Sequence, residues 1–310
     1  MTGTVLRLRD RRLITDPGAP LLMGVVNASP ESFSDGSESA TLDRQLARAQ
    51  TLLDAGAHLL DVGGESGVTN RAPISAEAEI ERVLPLVTEL VAAGQLVSVD
   101  TWKAPVARAV LEAGAHLIND VSGLRDPEIA DHCARAGAGL VIMHTRAAPK
   151  IKAFPAYGDV MADVIRFLEE RIALAAARGV LPEQLVLDPG PDFAKTPAQT
   201  ITVLHHLPEL GRFRRPILLA VSRKDFVGAL TNRSPAARLA GTLAAIGEGV
   251  DAGASILRVH DVGHVRDFLE VRQALRGQVD VSPELHLPEH LRREPTADPL
   301  AATASKSNRG

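Results

Sequence analysis

Asp100, Asn119, Asp188 and Lys224 share one setting in this chain: each stands at, or just after, the end of a short apolar run. A charged or amide group there has little to pair with in a hydrophobic core, so something bound above the run explains it better. Other chemistry-bearing residues stand in the same place. Asn27 closes the run from Leu21, Met143 and His144 close the run from Gly139, and Ser222 and Arg223 close the run from Pro216. Arg258, His260 and Asp261 end the last such run. Asp100, Asn119 and Asp188 offer two carboxylates and an amide, which suit a flat nitrogen heterocycle with several N–H donors. Lys224 can donate to a carbonyl of that ring. Asn27, Arg258 and His260 can face an anion, with Mg²⁺ sharing it.

Gathering those side chains requires a fold that brings strand ends together. Strand candidates run over 21–27, 58–63, 96–100, 116–120, 139–144, 185–189, 216–222 and 256–260. Helical spacing of apolar residues occupies 42–55, 75–93, 104–113, 127–136, 158–178, 197–208, 235–252 and 262–276. Eight strands alternating with eight helices predict an α/β fold, the (β/α)8 TIM barrel, whose active sites lie at the carboxyl ends of the strands. An open doubly wound sheet competes, but no G-x-G-x-x-G follows the first strand. Residues 1–20 alternate apolar and charged and read as a hairpin capping one end of the barrel. Residues 21–279 form the barrel, and the Pro-rich stretch 280–310 reads as a disordered tail.

With 45% hydrophobic but only 3% aromatic residues, the core must be built from Ala, Leu, Val and Ile. A net charge of −4 gives no electrostatic reason to expect nucleic acid or a membrane as partner. The single cysteine, Cys133, excludes an intramolecular disulfide, fits a reducing compartment and reads as a small buried hydrophobe. No signal-peptide pattern occurs, and no apolar run approaches the roughly 20 residues that span a bilayer, which predicts a soluble cytoplasmic protein.

Several polar residues have plainer explanations. Asp61 fits an internal polar group of the barrel, held by hydrogen bonds. Asp120 and Asp261 read as caps of the following loops, and His144 is evenly balanced between ligand and satisfied strand-end histidine. His58, His116, His205, His206 and His264 read as structural, and no His or Cys pair makes a zinc site. Arg146, Lys150 and Lys152 make Thr145–Phe154 basic, and these charges read as solvated.

The same residues carry a family likeness from about Leu21 to Gly277. The segments MGVVNASPESFSDG (23–36), DVGGES (61–66), VSVDT (97–101), LINDVSG (117–123), LDPGPDFAK (187–195), AVSRKDFVGAL (220–230) and RVHDV (258–262), in this order, resemble dihydropteroate synthase. The resemblance implies a (β/α)8 barrel, a homodimer, and the joining of 6-hydroxymethyl-7,8-dihydropterin diphosphate to p-aminobenzoate, giving 7,8-dihydropteroate and pyrophosphate. It implies pterin binding by Asp100, Asn119, Met143, Asp188, Lys224 and Arg258, with Asp100, Lys224 and Arg258 serving catalysis. It further implies diphosphate contact by Asn27 and His260, Mg²⁺ held at Asn27, and p-aminobenzoate near Ser222. The polar loop with Ser29, Ser32, Ser34 and Gly36 suits a mobile lid.

Two places depart from the family pattern. Gly67, Val68, Thr69 and Asn70 replace a Thr-Arg-Pro-Gly loop, and Val68 supplies neither charge nor donor, although Arg71 follows closely. Asp192 stands where the family has Gly; it adds charge beside Asp188 or caps the helix beginning near Pro197. These departures resemble a divergent second paralogue found in some actinobacteria, which implies as an alternative a weakly active or non-catalytic pterin-binding protein. A related pterin-dependent methyltransferase barrel is a third reading, against which the Ser-Arg-Lys and Arg-Val-His motifs stand.

Overall fold

A computed structural model describes residues 3–28, 38–65 and 72–293. The lid residues Ser29–Gly36, the substituted loop Gly67–Arg71 and the tail beyond 293 lie outside them. The chain divides into two compact units, Met1–Glu270 and Val271–Gly310.

The first unit opens with an antiparallel hairpin, β1 (Thr4–Leu8) and β2 (Arg11–Thr15). Eight strands then alternate with helices: β3 (Leu21–Asn27), α1 (Glu38–Asp54), β4 (Leu59–Gly63), α2 (Ala76–Ala92), β5 (Val97–Asp100), α3 (Ala104–Glu112), β6 (Leu117–Asp120), α4 (Glu128–Ala136) and β7 (Gly139–Met143). They continue as α5 (Val160–Ala177), β8 (Leu185–Asp188), α6 (Pro197–His205), β9 (Leu218–Leu219), α7 (Asp225–Thr231), α8 (Leu239–Asp251), β10 (Ile256–Val259) and α9 (Val262–Leu275). The parallel order is β8-β7-β6-β5-β4-β3-β10-β9. A bridge from Leu187 to Ile217, with Leu187 N–H donating to the Pro216 carbonyl at 3.0 Å, joins the two ends and closes the barrel. Regular pairing of the seventh barrel strand, expected over 216–222, is confined to Leu218–Leu219.

Period-two alternation sorts the strand residues into two layers. Leu60, Val62, Val97, Val99, Ile118, Leu140 and Ile142 point outward and pack under the helices. Met23, Leu59, Leu117, Val141, Val186, Leu218 and Ile256 point inward at the strand starts. Leu6 and Leu8 of the hairpin join this inner cluster, so the hairpin plugs the amino-terminal end of the barrel, the side opposite the strand-end residues. His58 and His116 stand at that end too; their Nδ1 atoms accept from Leu22 N–H at 3.0 Å and Val97 N–H at 3.3 Å, a structural task.

Helix boundaries depart from the periodicity in three places. The segment 197–208 stops at His205 and continues as a 3-10 stretch, Leu207–Phe213. The segment 235–252 opens with a 3-10 turn, Pro235–Ala237. The short α7 was not anticipated, since 7 residues fall below the window in which apolar spacing is legible. Among the described residues no helix is long and apolar enough to cross a membrane. In the second unit the described residues beyond α9 form one further element, the 3-10 turn Glu289–Leu291.

Candidate active site

The inward positions above the hydrophobic layer are polar. Asp61 is fully buried, and its carboxylate accepts from Ser98 Oγ at 2.6 Å, Asn119 Nδ2 at 3.1 Å and Arg258 Nε at 2.6 Å. It is the internal polar group expected of it, and it fixes two strand-end side chains at once. With Nδ2 turned to Asp61, the Asn119 amide oxygen points elsewhere; that buried Oδ1 has no hydrogen-bond partner among the described residues. An orphaned buried acceptor is costly unless something donates to it.

One layer higher, the ladder aligns Asn27 with Gly63, Gly63 with Asp100, and Asp100 with Asn119; Met143 aligns with Asp188 across β7 and β8. Arg258 reaches Asp100 Oδ2 at 2.8 Å and so joins both layers. Burial pushes the Asp100 carboxyl up to about 7, with Arg258 pulling the other way and Asp61 adding to the rise. Burial alone would lower the Arg258 guanidinium, but Asp61 and Asp100 hold it above its ordinary value. Burial also raises Asp188, against a 2.7 Å hydrogen bond from Gly190 N–H and the charge of Lys224. Gly190 is needed at this turn: a Cβ would lie 2.0 Å from the His144 carbonyl oxygen. Lys224 stands at the N-cap of α7 with Nζ 4.2 Å from the centre of the Phe193 ring, and burial lowers its pKa.

Ser222 and His260 form a unit. Ser222 Oγ accepts from the His260 backbone N–H at 3.3 Å and lies 2.9 Å from His260 Nδ1. With the imidazole proton on Nε2 the hydroxyl donates to Nδ1; with it on Nδ1 the hydroxyl accepts, so either neutral tautomer is held by this contact. Burial, then Arg258, push His260 down to about 4, which keeps the ring neutral at ordinary pH. Asn27 is exposed at the end of β3.

Residues 23–260 match the family described as pterin binding enzyme. A dihydropteroate synthase of Synechocystis sp. is 40% identical over 258 residues, 82% of this chain and 89% of that protein. The chain belongs to the dihydropteroate synthase family. A Xanthomonas albilineans dihydropteroate synthase solved with 4-aminobenzoic acid is 41% identical, covers 88% of this chain and 99% of that one, and superposes with a TM-score of 0.81. The same organism's enzyme in complex with 7,8-dihydropteroate is 40% identical and covers 87% of this chain and 98% of that one, with a TM-score of 0.77.

Against this dihydropteroate synthase frame, Asp100, Asn119, Met143, Asp188, Lys224, Arg258, Ser222, His260 and Asn27 all stand at the carboxyl ends of the barrel strands. Asp192 caps a helix, but not the one expected. The helix beginning at Pro197 is capped by Thr196 with Gln199. Asp192 Oδ2 instead accepts from Phe226 N–H of α7 at 3.1 Å, and its Oδ1 accepts from Thr200 Oγ1 at 3.2 Å. Its negative charge also opposes the lowering of Lys224. Asp120 caps its loop as expected, accepting from Ser122 and Leu124 N–H, each at 2.7 Å. Asp261 does not; it binds Arg223 through both oxygens, at 2.6 and 3.0 Å.

His144 is a satisfied histidine: Nε2 lies 3.2 Å from Asp163 and Nδ1 2.8 Å from Lys195 Nζ. Burial, then the Lys195 charge, push its pKa down to about 3. Lys195 itself is fully buried and donates to the Gly190 and Phe193 carbonyls at 2.9 and 3.1 Å, holding the turn that carries Asp188 and Phe193. Cys133 is buried and burial raises its thiol pKa, in keeping with an inert filler. Within the basic segment Lys150 is buried against Glu65 and Arg146 pairs with Asp163, contrary to expectation, whereas Lys152 stays 60% exposed, solvated as expected, with Asp225 3.6 Å away.

Proposed function

We propose that the protein is a dihydropteroate synthase, a transferase that joins 6-hydroxymethyl-7,8-dihydropterin diphosphate to p-aminobenzoate in folate biosynthesis. The observation that carries this most is the unpaired, buried Asn119 Oδ1 set between Asp61 and Asp100. Asn119 Oδ1 and the carboxylates of Asp100 and Asp188 accept the N–H groups of the pterin, and Lys224 donates to its carbonyl. Met143 and Arg258 lie against the ring. Asn27 and His260 face the diphosphate, and Ser222 orients His260 while bordering the p-aminobenzoate.

In the reaction the methylene carbon loses its bond to the diphosphate oxygen and gains one to the amine nitrogen. The electron pair leaves with pyrophosphate, and the amine proton goes to solvent. The methylene gains positive character as the leaving group departs, and the Asp100 carboxylate stabilises it. No covalent enzyme intermediate is required.

Mg²⁺ would find one protein oxygen here, the amide of the exposed Asn27. Among the described residues no three His, Cys, Asp or Glu side chains cluster as a metal site, whereas Asn27 is exposed beside the diphosphate position. Mg²⁺ is commonly held by one or two protein oxygens plus substrate phosphates, so Asn27 Oδ1 would hold it and the ion would neutralise the leaving anion. The family resemblance supports a homodimer, and the single buried cysteine fits a reducing, cytoplasmic setting. Chromatographic detection of 7,8-dihydropteroate from the two substrates and Mg²⁺ tests the reading; formation no faster than without protein would reject it.

A further inference from the structure

The segment between β7 and α5 does more than connect them. Its stretch from Thr145 to Phe154, together with Trp102, Phe193 and Lys224, lines a cleft of about 330 Å³ at the mouth of the site. Its ends are tied down locally. Arg146 pairs with Asp163 of α5, and Arg125 donates to the Arg146 carbonyl at 3.2 Å. On the return leg, Tyr157 Oη donates to the Ala194 carbonyl at 2.9 Å, beside Phe193.

The middle of the segment is held from across the barrel mouth. Lys150 Nζ lies 3.1 Å from Glu65 Oε1, just past β4, and the two side chains are only 7% and 4% exposed. Glu65 Oε2 also meets Lys103 Nζ at 2.7 Å, and Lys103 meets the fully buried Glu79 at 2.6 Å. Lys103 follows Asp100 by three residues, so the same cluster touches the loop that leaves the pterin carboxylate. Two carboxylates face two ammonium groups, a balance that removal of one cation would upset. Lys150, at φ +66°, is the third residue of a turn that the Ile151 N–H closes on the Ala148 carbonyl at 3.1 Å, so the lysine is presented to Glu65 from a hydrogen-bonded turn.

We propose that Lys150 and Glu65 are positioning residues: their buried ion pair latches the 145–154 segment across the barrel mouth, and the cleft it lines with Arg223 and Lys224, directly after the aminobenzoate-side Ser222, is complete only with the segment latched. Neither residue touches reacting atoms. Lys150→Met leaves Glu65 its bond to Lys103, so the barrel folds while the segment loses its central anchor. Lys150→Arg keeps the charge and restores the latch.

The activity arm of the test rests on the synthase reading; the proteolysis arm does not. In steady-state kinetics, Lys150→Met is expected to raise KM for p-aminobenzoate about tenfold or more, the scale on which lost positioning acts. Calorimetric binding of the pterin diphosphate alone should stay at the wild-type value, and Lys150→Arg should behave as wild type. In limited trypsin digestion, cleavage after Arg146 and Lys152 should accelerate in Lys150→Met and not in Lys150→Arg. An unchanged KM, equal weakening of both substrates, or wild-type cleavage rates in Lys150→Met would overturn the latch. If the wild-type protein does not turn over, the synthase reading fails, and the cleavage rates alone decide the latch.

Discussion

Asp61→Asn keeps the size of the buried side chain and removes its charge, so it isolates what that charge does. The Oδ1 atom faces the Ser98 hydroxyl at 2.6 Å, and Oδ2 faces Arg258 Nε at 2.6 Å and Asn119 Nδ2 at 3.1 Å. Arginine cannot accept a hydrogen bond, and the Asn119 amide nitrogen cannot either, whereas a serine hydroxyl can rotate and accept. The new amide therefore turns its nitrogen to Ser98 and its oxygen to Arg258 and Asn119, and the geometry survives. What is lost is charge assistance, about 1 kcal/mol for each bond that becomes neutral-accepting, plus part of the compensation of Arg258. Arg258 keeps Asp100 at 2.8 Å, so the loss stays below the roughly 3–5 kcal/mol of a fully broken buried pair. The expected destabilisation is about 2–3 kcal/mol, read as a lower urea midpoint with an unchanged m-value. Asp61→Leu, which deletes all three acceptor contacts, should cost more. A loss below about 0.5 kcal/mol in Asp61→Asn, or equal losses in the two variants, would refute the claim that a charged Asp61 organises the interior.

Other perturbations follow from the same geometry. Since Asp100 is pushed up to about 7 and an acid ionises above its pKa, kcat/KM for the pterin diphosphate should rise with pH through that value and level off above it. Asp100→Asn should abolish this limb and lower kcat by about 10²–10³, and a wild-type profile that falls through neutrality would contradict the role. Asp192→Gly loses the contacts to Phe226 N–H and Thr200 Oγ1, together worth about 1–2 kcal/mol, but relieves a side chain held at φ +63°, worth about the same 1–2 kcal/mol. The melting temperature should therefore stay near the wild-type value, and a large fall by calorimetry would show that the helix contacts outweigh the strain.

The barrel was legible because local pattern encodes it. Leu59, Asp61 and Gly63 alternate with Leu60 and Val62, and that alternation alone assigns one set to the interior and the other to the helices. The strand-end positions of Asp100, Asn119, Asp188 and Lys224 followed once closure was assumed. Links between distant loops were not legible. Asp192 sits close to Pro197 in sequence, and local rules point it at that helix; its partner Phe226 is 34 residues away and is reached only because β8 and the β9 segment become neighbours on closure. Lys150 and Glu65 gave no sequence signal for the same reason, since scattered surface-type charges look alike until the fold pairs them. Asp261 read as a loop cap because its guanidinium partner, Arg223, belongs to another strand.

In this reading the site makes 7,8-dihydropteroate and Asn119 Oδ1 is one of its pterin acceptors. The measurement that bears on it most directly is the rate of product formation from the pterin diphosphate, p-aminobenzoate and Mg²⁺, in wild type and in Asn119→Ala. The wild type should give equimolar 7,8-dihydropteroate and pyrophosphate, and a folded Asn119→Ala should be slower by about 10–100-fold, as expected when a polar group in a site is left without its partner. A wild-type rate equal to the protein-free background, or an Asn119→Ala variant as fast as wild type, would contradict this reading.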